Sequence, residues 1–82
     1  DASRFVEKPD EKLTAEETFL KGRKFDRATN RKQARRYYEL ALRKDPGHVA
    51  SLRGLGVLDL EAGLYSQAVS RLEKTLERKI PK

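Results

Sequence analysis

The sequence predicts an all-α chain of four short helices, arranged as two copies of one helix–turn–helix unit. Three observations carry this. Apolar residues recur at helical spacing and nowhere alternate as in a strand. Each helical stretch has its own start and stop signals. Shifting the chain by 34 residues aligns it with itself without a gap.

Residues 1–13 read as an irregular lead-in, polar, carrying Pro9, with Phe5-Val6 as an isolated apolar pair. The first helix opens at Thr14-Ala15-Glu16-Glu17, where Thr14 caps the N-terminus and Glu17 reaches back to its backbone N–H. It runs to about Arg27 through Gly22, which costs about 1 kcal/mol relative to Ala. Asn30 caps a second helix through Lys44, with Ala34, Tyr38, Ala41 and Leu42 on one stripe. Asp45-Pro46-Gly47 stops it. A third segment, His48 to Ala62, carries Leu52, Leu55, Val57, Leu58 and Leu60 and ends at Gly63. Ser66 is the expected cap of a fourth, with Ala68, Val69, Leu72, Leu76 and Ile80 as its apolar face and Pro81 as its end.

The 34-residue shift places Gly22 on Gly56, Ala28 on Ala62, Ala34 on Ala68, Tyr38 on Leu72 and Leu42 on Leu76. Small residues fall on small and large on large, at positions that set how closely two helices approach. This pattern resembles the tetratricopeptide repeat family. Gly22, Phe25, Ala34, Tyr38, Ala41 and Pro46 match its motif in a first unit over about 15–48. Leu55, Gly56, Tyr65 and Ala68, with Leu72 at the Phe position, match in a second over about 49–82. Lys21, Asp59 and Thr75 depart from it, standing where Leu, Tyr and Ala are expected. The resemblance implies a short right-handed α-solenoid over residues 14–82. Two units fall short of the roughly three such arrays need, so the chain reads as a piece of a longer protein.

The composition excludes several functions. With Cys 0 and His 1, the chain has neither a thiol nucleophile nor the ligands for a thiolate or imidazole metal site. No apolar run approaches the roughly 18 residues of a membrane span, and no glycine-rich loop exists to cradle a phosphate. No cofactor is expected. His48 follows Pro46-Gly47 with no nucleophile placed beside it by any motif, so it reads as a helix N-terminal residue facing water. Asp59 with Glu61, and Glu73 with Glu77, read as ordinary surface carboxylates among basic residues. The chain reads as a non-enzyme.

Charge raises a different possibility. Lys+Arg 19 against Asp+Glu 13 leaves +6. Lys21, Arg23, Lys24, Arg27, Arg31, Lys32, Arg35 and Arg36 crowd into residues 21–36 with Asp26 as the only acid. Such a block can track a phosphate backbone. It spans a helix, a turn and a second helix, however, and its aromatics belong partly to the core, so a solvated basic face is the favoured explanation. The family resemblance implies peptide binding on the concave side. By register, the groove positions are Glu16, Phe19, Arg23, Asp26 and Arg27, then Ala50, Arg53, Val57, Leu60 and Glu61. Arg23, Arg27 and Arg53 would hold carboxylates by forked hydrogen bonds, while Phe19, Val57 and Leu60 take apolar side chains. The branch of the family that grips chaperone C-termini uses Asn and Lys, where this chain has Arg23 and Arg53 or Gly54. A further expectation is self-association through an apolar edge at Val69, Leu76 and Ile80.

Overall fold

The computed structural model describes residues 8–79, with side chains to Glu77. Phe5-Val6, Ile80 and Pro81 lie outside the described residues. After a short 3-10 turn at Asp10–Lys12 come α1 (Ala15–Arg27), α2 (Arg31–Lys44), α3 (Val49–Glu61) and α4 (Tyr65–Lys79). The described residues contain no strand. α1 packs against α2 and α3 against α4, with α2 and α3 joining the two pairs.

Local chemistry sets the helix ends. Thr14 Oγ1 accepts from the Glu17 N–H at 3.1 Å and Glu17 Oε1 accepts from the Thr14 N–H at 2.9 Å, closing the capping box. Asn30 Oδ1 caps α2 by accepting from the Gln33 N–H at 3.3 Å. α1 and α3 end in the same way. Asn30 N–H donates to the Phe25 carbonyl and Thr29 N–H to the Asp26 carbonyl; 34 residues on, Leu64 donates to Asp59 and Gly63 to Leu60. These are paired Schellman motifs, each needing a left-handed residue, here Thr29 at φ +59° and Gly63 at φ +79°.

α4 corrects one expectation. Ser66 is not its cap but lies inside the helix, because Leu64 already supplies the carbonyl that accepts the Ala68 N–H. The Schellman turn fixes Leu64 at the helix start, as it fixes Asn30 in the first unit.

The core is Ala34, Tyr38, Leu55 and Leu58, with Phe19, Phe25 and Leu42 packed on it. Glycine sets the helix spacing. A Cβ on Gly22 would fall 2.7 Å from Tyr38 Cδ1, and one on Gly56 would fall 2.8 Å from Leu72 Cδ2. The same small-on-large contact therefore recurs one period later.

Ahead of α1 the 3-10 turn at Asp10–Lys12 is tied down. Asp10 Oδ1 accepts from Lys21 Nζ at 3.0 Å, and Oδ2 accepts from the Tyr37 hydroxyl at 3.0 Å. Lys44 Nζ donates to the Asp10 and Leu13 carbonyls. Lys21, which departs from the family pattern, thus holds this strap against α1 and α2.

Asp59 is the second correction. It is no surface carboxylate but fully buried at 0% exposure. Arg71 Nε of α4 donates to its Oδ2 at 2.9 Å, and Arg35 Nη1 of α2 lies 2.8 Å from Oδ1 as an ion-pair contact without hydrogen-bond geometry. One carboxylate thereby links three helices.

Candidate peptide-binding groove

A helix side chain is followed on its own face three, four and seven positions later. On α1 this aligns Phe19, Arg23, Asp26 and Arg27; on α3 it aligns Ala50, Arg53, Gly54 and Val57. These eight residues line one groove of about 540 Å³ between α1 and α3, with Tyr38 of α2 as its floor.

Tyr38 connects core and groove. Its ring stacks on Phe19 with centroids 5.5 Å apart and planes inclined at 24°. Its two edges meet Gly22 of α1 and Gly54 of α3, where a Cβ would fall 2.7 and 2.8 Å from ring carbons. The ring fills the gap that the two glycines leave. Its hydroxyl donates to Asp26 Oδ2 at 2.9 Å. Burial first, then this hydrogen bond, push the phenol well above the usual tyrosine range, so it remains a donor. Asp26 is thereby held against the floor, facing three arginines. Arg23, Arg27 and Arg53 outnumber it, and they make no ion pair among the described residues, so the groove is electropositive over an aromatic base.

Of the residues expected from the sequence, Phe19, Arg23, Asp26, Arg27, Arg53 and Val57 come together here, and so does Ala50. Leu60 does not line the groove; it is exposed one turn beyond Val57. Glu61 turns the other way, accepting from Arg31 Nε of α2 at 3.2 Å. Glu16 is engaged by His48. Tyr38 was missed as a groove residue, and Gly54 was named only as an alternative to Arg53. Two signals for them existed: a buried tyrosine needs a partner for its hydroxyl, and a glycine inside a helix marks a close approach.

His48 is also placed differently from expectation. It does not face water: its side chain is 13% exposed. Nδ1 accepts from the Ser51 N–H at 3.3 Å, so His48 caps α3. With Nδ1 an acceptor, the ring proton sits on Nε2 and is donated to Glu16 Oε1 at 2.9 Å. The Ser51 hydroxyl lies 2.8 Å from Nδ1. A carboxylate, an imidazole and a hydroxyl in series look like an acyl-transfer triad. Ser51, however, is fully buried at the start of α3, where no substrate reaches it. The chain of bonds instead joins α1 to the N-terminus of α3.

The basic block 21–36 divides among different tasks. Lys21 and Arg36 flank the Tyr37 ring and Asp10, Arg31 pairs with Glu61, and Arg35 holds Asp59. Arg23 and Arg27 face the groove. Among the described residues no helix is long and apolar enough to cross a membrane, and no cluster of three or more His, Cys, Asp or Glu is placed to hold a metal.

Comparison with known proteins agrees with the geometry. No curated protein and no solved structure matches the chain. The tetratricopeptide repeat family model matches residues 27–79, covering both groove-forming helix pairs except most of α1. Repeats of this family are in general protein–protein interaction modules. Since the match takes in well over half of the sequence, and the helix pairs recur at the family's period, the chain belongs to the tetratricopeptide repeat family.

Proposed function

We propose that this chain is a non-catalytic binding module, working over residues 14–82, that holds an acidic segment of a partner protein in the α1–α3 groove. The observation that carries the proposal is the set of three arginines, without an ion pair among the described residues, over the Phe19–Tyr38 floor. Guanidinium groups present planar forks to carboxylates, and in a half-enclosed groove such charge-assisted bonds are roughly twice as strong as neutral ones. Arg23 and Arg27 approach the segment from α1 and Arg53 from α3. Val57, beside the Phe19–Tyr38 floor, takes its apolar side chain. The three arginines repel a basic segment, and the acid beside them, Asp26, already accepts from Tyr38 through Oδ2.

Titration with an Asp/Glu-rich peptide carrying one apolar side chain tests this, with amide shifts followed by NMR. Saturable shifts at Arg23, Arg53 and Val57 are expected, weakening as salt is raised. The Gln/Asn analogue of the same peptide is expected to bind at least about tenfold more weakly, a loss matching one or more charge-assisted bonds. No saturable shift in the groove, or equal binding of the neutral analogue, overturns the proposal.

A further inference from the structure

A second surface lies away from the groove. Tyr65, Val69 and Leu76 of α4 are 65%, 53% and 59% exposed, and with the half-buried Leu72 they form one stripe at spacings of four, three and four. That is the a/d spacing of a helix–helix seam.

The molecule itself shows how such a stripe is covered. Thirty-four residues earlier the same stripe on α2 is Arg31, Arg35, Tyr38 and Leu42. There α3 lies on it, with Gly54 against Tyr38, Asp59 against Arg35 and Glu61 against Arg31. On α4, Tyr65 and Val69 replace the two arginines. A helix with the acids of α3 would find no partners for them here. The occupant must instead bring an apolar face.

We infer that the occupant is a second copy of this chain, docking α4 against α4 about a two-fold axis. An antiparallel pair centred between Ser70 and Arg71 sets Tyr65 against Leu76 of the second copy and Val69 against Leu72. Glu73 then flanks Ser66 rather than another carboxylate. Charge favours this face over others. α4 holds Arg71, Lys74, Arg78 and Lys79 against Glu73 and Glu77, two more cations than acids, whereas α2 carries six cations and the single acid Glu39. Two copies with +6 each therefore repel less at α4 than at their α2 faces.

Sedimentation at several concentrations is expected to show a monomer–dimer equilibrium. Val69→Glu and Leu76→Glu, both at exposed positions, are each expected to shift it to monomer while helical circular dichroism is unchanged. In a mixed-isotope sample, contacts between copies are expected from the Tyr65 ring to the Leu76 methyls. Arg53→Glu, which removes a groove arginine, is expected to leave the dimer intact, so the groove and the dimer are tested separately. A strict monomer at every concentration leaves the stripe to some other helix and overturns the inference. A dimer that survives both glutamates, that is lost with Arg53→Glu, or whose contacts between copies lie off α4, overturns it as well.

Discussion

Thr29 and Gly63 turn the chain out of α1 and α3 with positive φ, at +59° and +79°. Glycine adopts this conformation freely, whereas a β-branched residue does so at a cost of about 1–2 kcal/mol. Part of that cost is offset because threonine has less freedom to lose than glycine on folding. Thr29→Gly is therefore expected to stabilise the fold by about 0.5–1 kcal/mol in urea denaturation. Gly54 makes the opposite case. A methyl there meets Tyr38 at 2.8 Å, and the ring cannot retreat because Gly22 stands at its other edge. Gly54→Ala is expected to cost about 1–3 kcal/mol by overpacking. It is also expected to disturb the groove floor, seen as a shift of the Phe19 and Tyr38 ring resonances.

The helices were legible as elements because their end signals are local. Thr14, Asn30 and the turn at Asp45-Pro46-Gly47 act within three or four residues of themselves. Ser66 misled because a serine near a helix start resembles a cap, while the start is set by the preceding turn. Asp59 was misread because nothing local distinguishes a buried carboxylate from an exposed one. Its partners, Arg35 and Arg71, lie on two other helices. Removing one member of a buried ion group leaves the others uncompensated, at about 3–5 kcal/mol. Here the arginines are about a quarter exposed and regain some hydration. Asp59→Ala is thus expected to lose about 2–3 kcal/mol by chemical denaturation, just below that range. The loss is expected to loosen α4 first, measurable as faster amide exchange there than in α1.

At the scale of the molecule, the strap at Asp10 ties the N-terminal segment to both helices of the first pair. Lys21's hydrogen bond chiefly holds the Asp10 carboxyl below the usual carboxylate range; desolvation opposes this, and Tyr37's hydrogen bond adds to it. A depressed native pKa contributes stability that is complete above the unfolded value, about 3.9. It disappears as pH falls through the lower native value. Asp10→Asn is therefore expected to destabilise the fold near neutral pH, and the difference from the natural chain is expected to close below about pH 4. Urea denaturation at a series of pH values measures it; a difference that stays constant to low pH would count against the strap. The +6 charge is likewise a property of placement. Much of the basic block is engaged with Asp10, Glu61 and Asp59, while Arg23 and Arg27 line the groove.

By itself the sequence determined the four helices, their period of 34 residues and the family, because caps, stripes and small-on-large matches are written in short-range order. It also placed Phe19, Arg23, Asp26 and Arg27 on one helix face and Arg53 and Val57 on another, since a face follows from helical spacing alone. Only the tertiary structure decided that these two faces converge over Tyr38, that Asp59 is buried and His48 engages Glu16, and that Glu61 turns away. Those outcomes depend on which residues of separate helices meet, and such contacts are set by packing across the whole chain rather than by any neighbour in sequence.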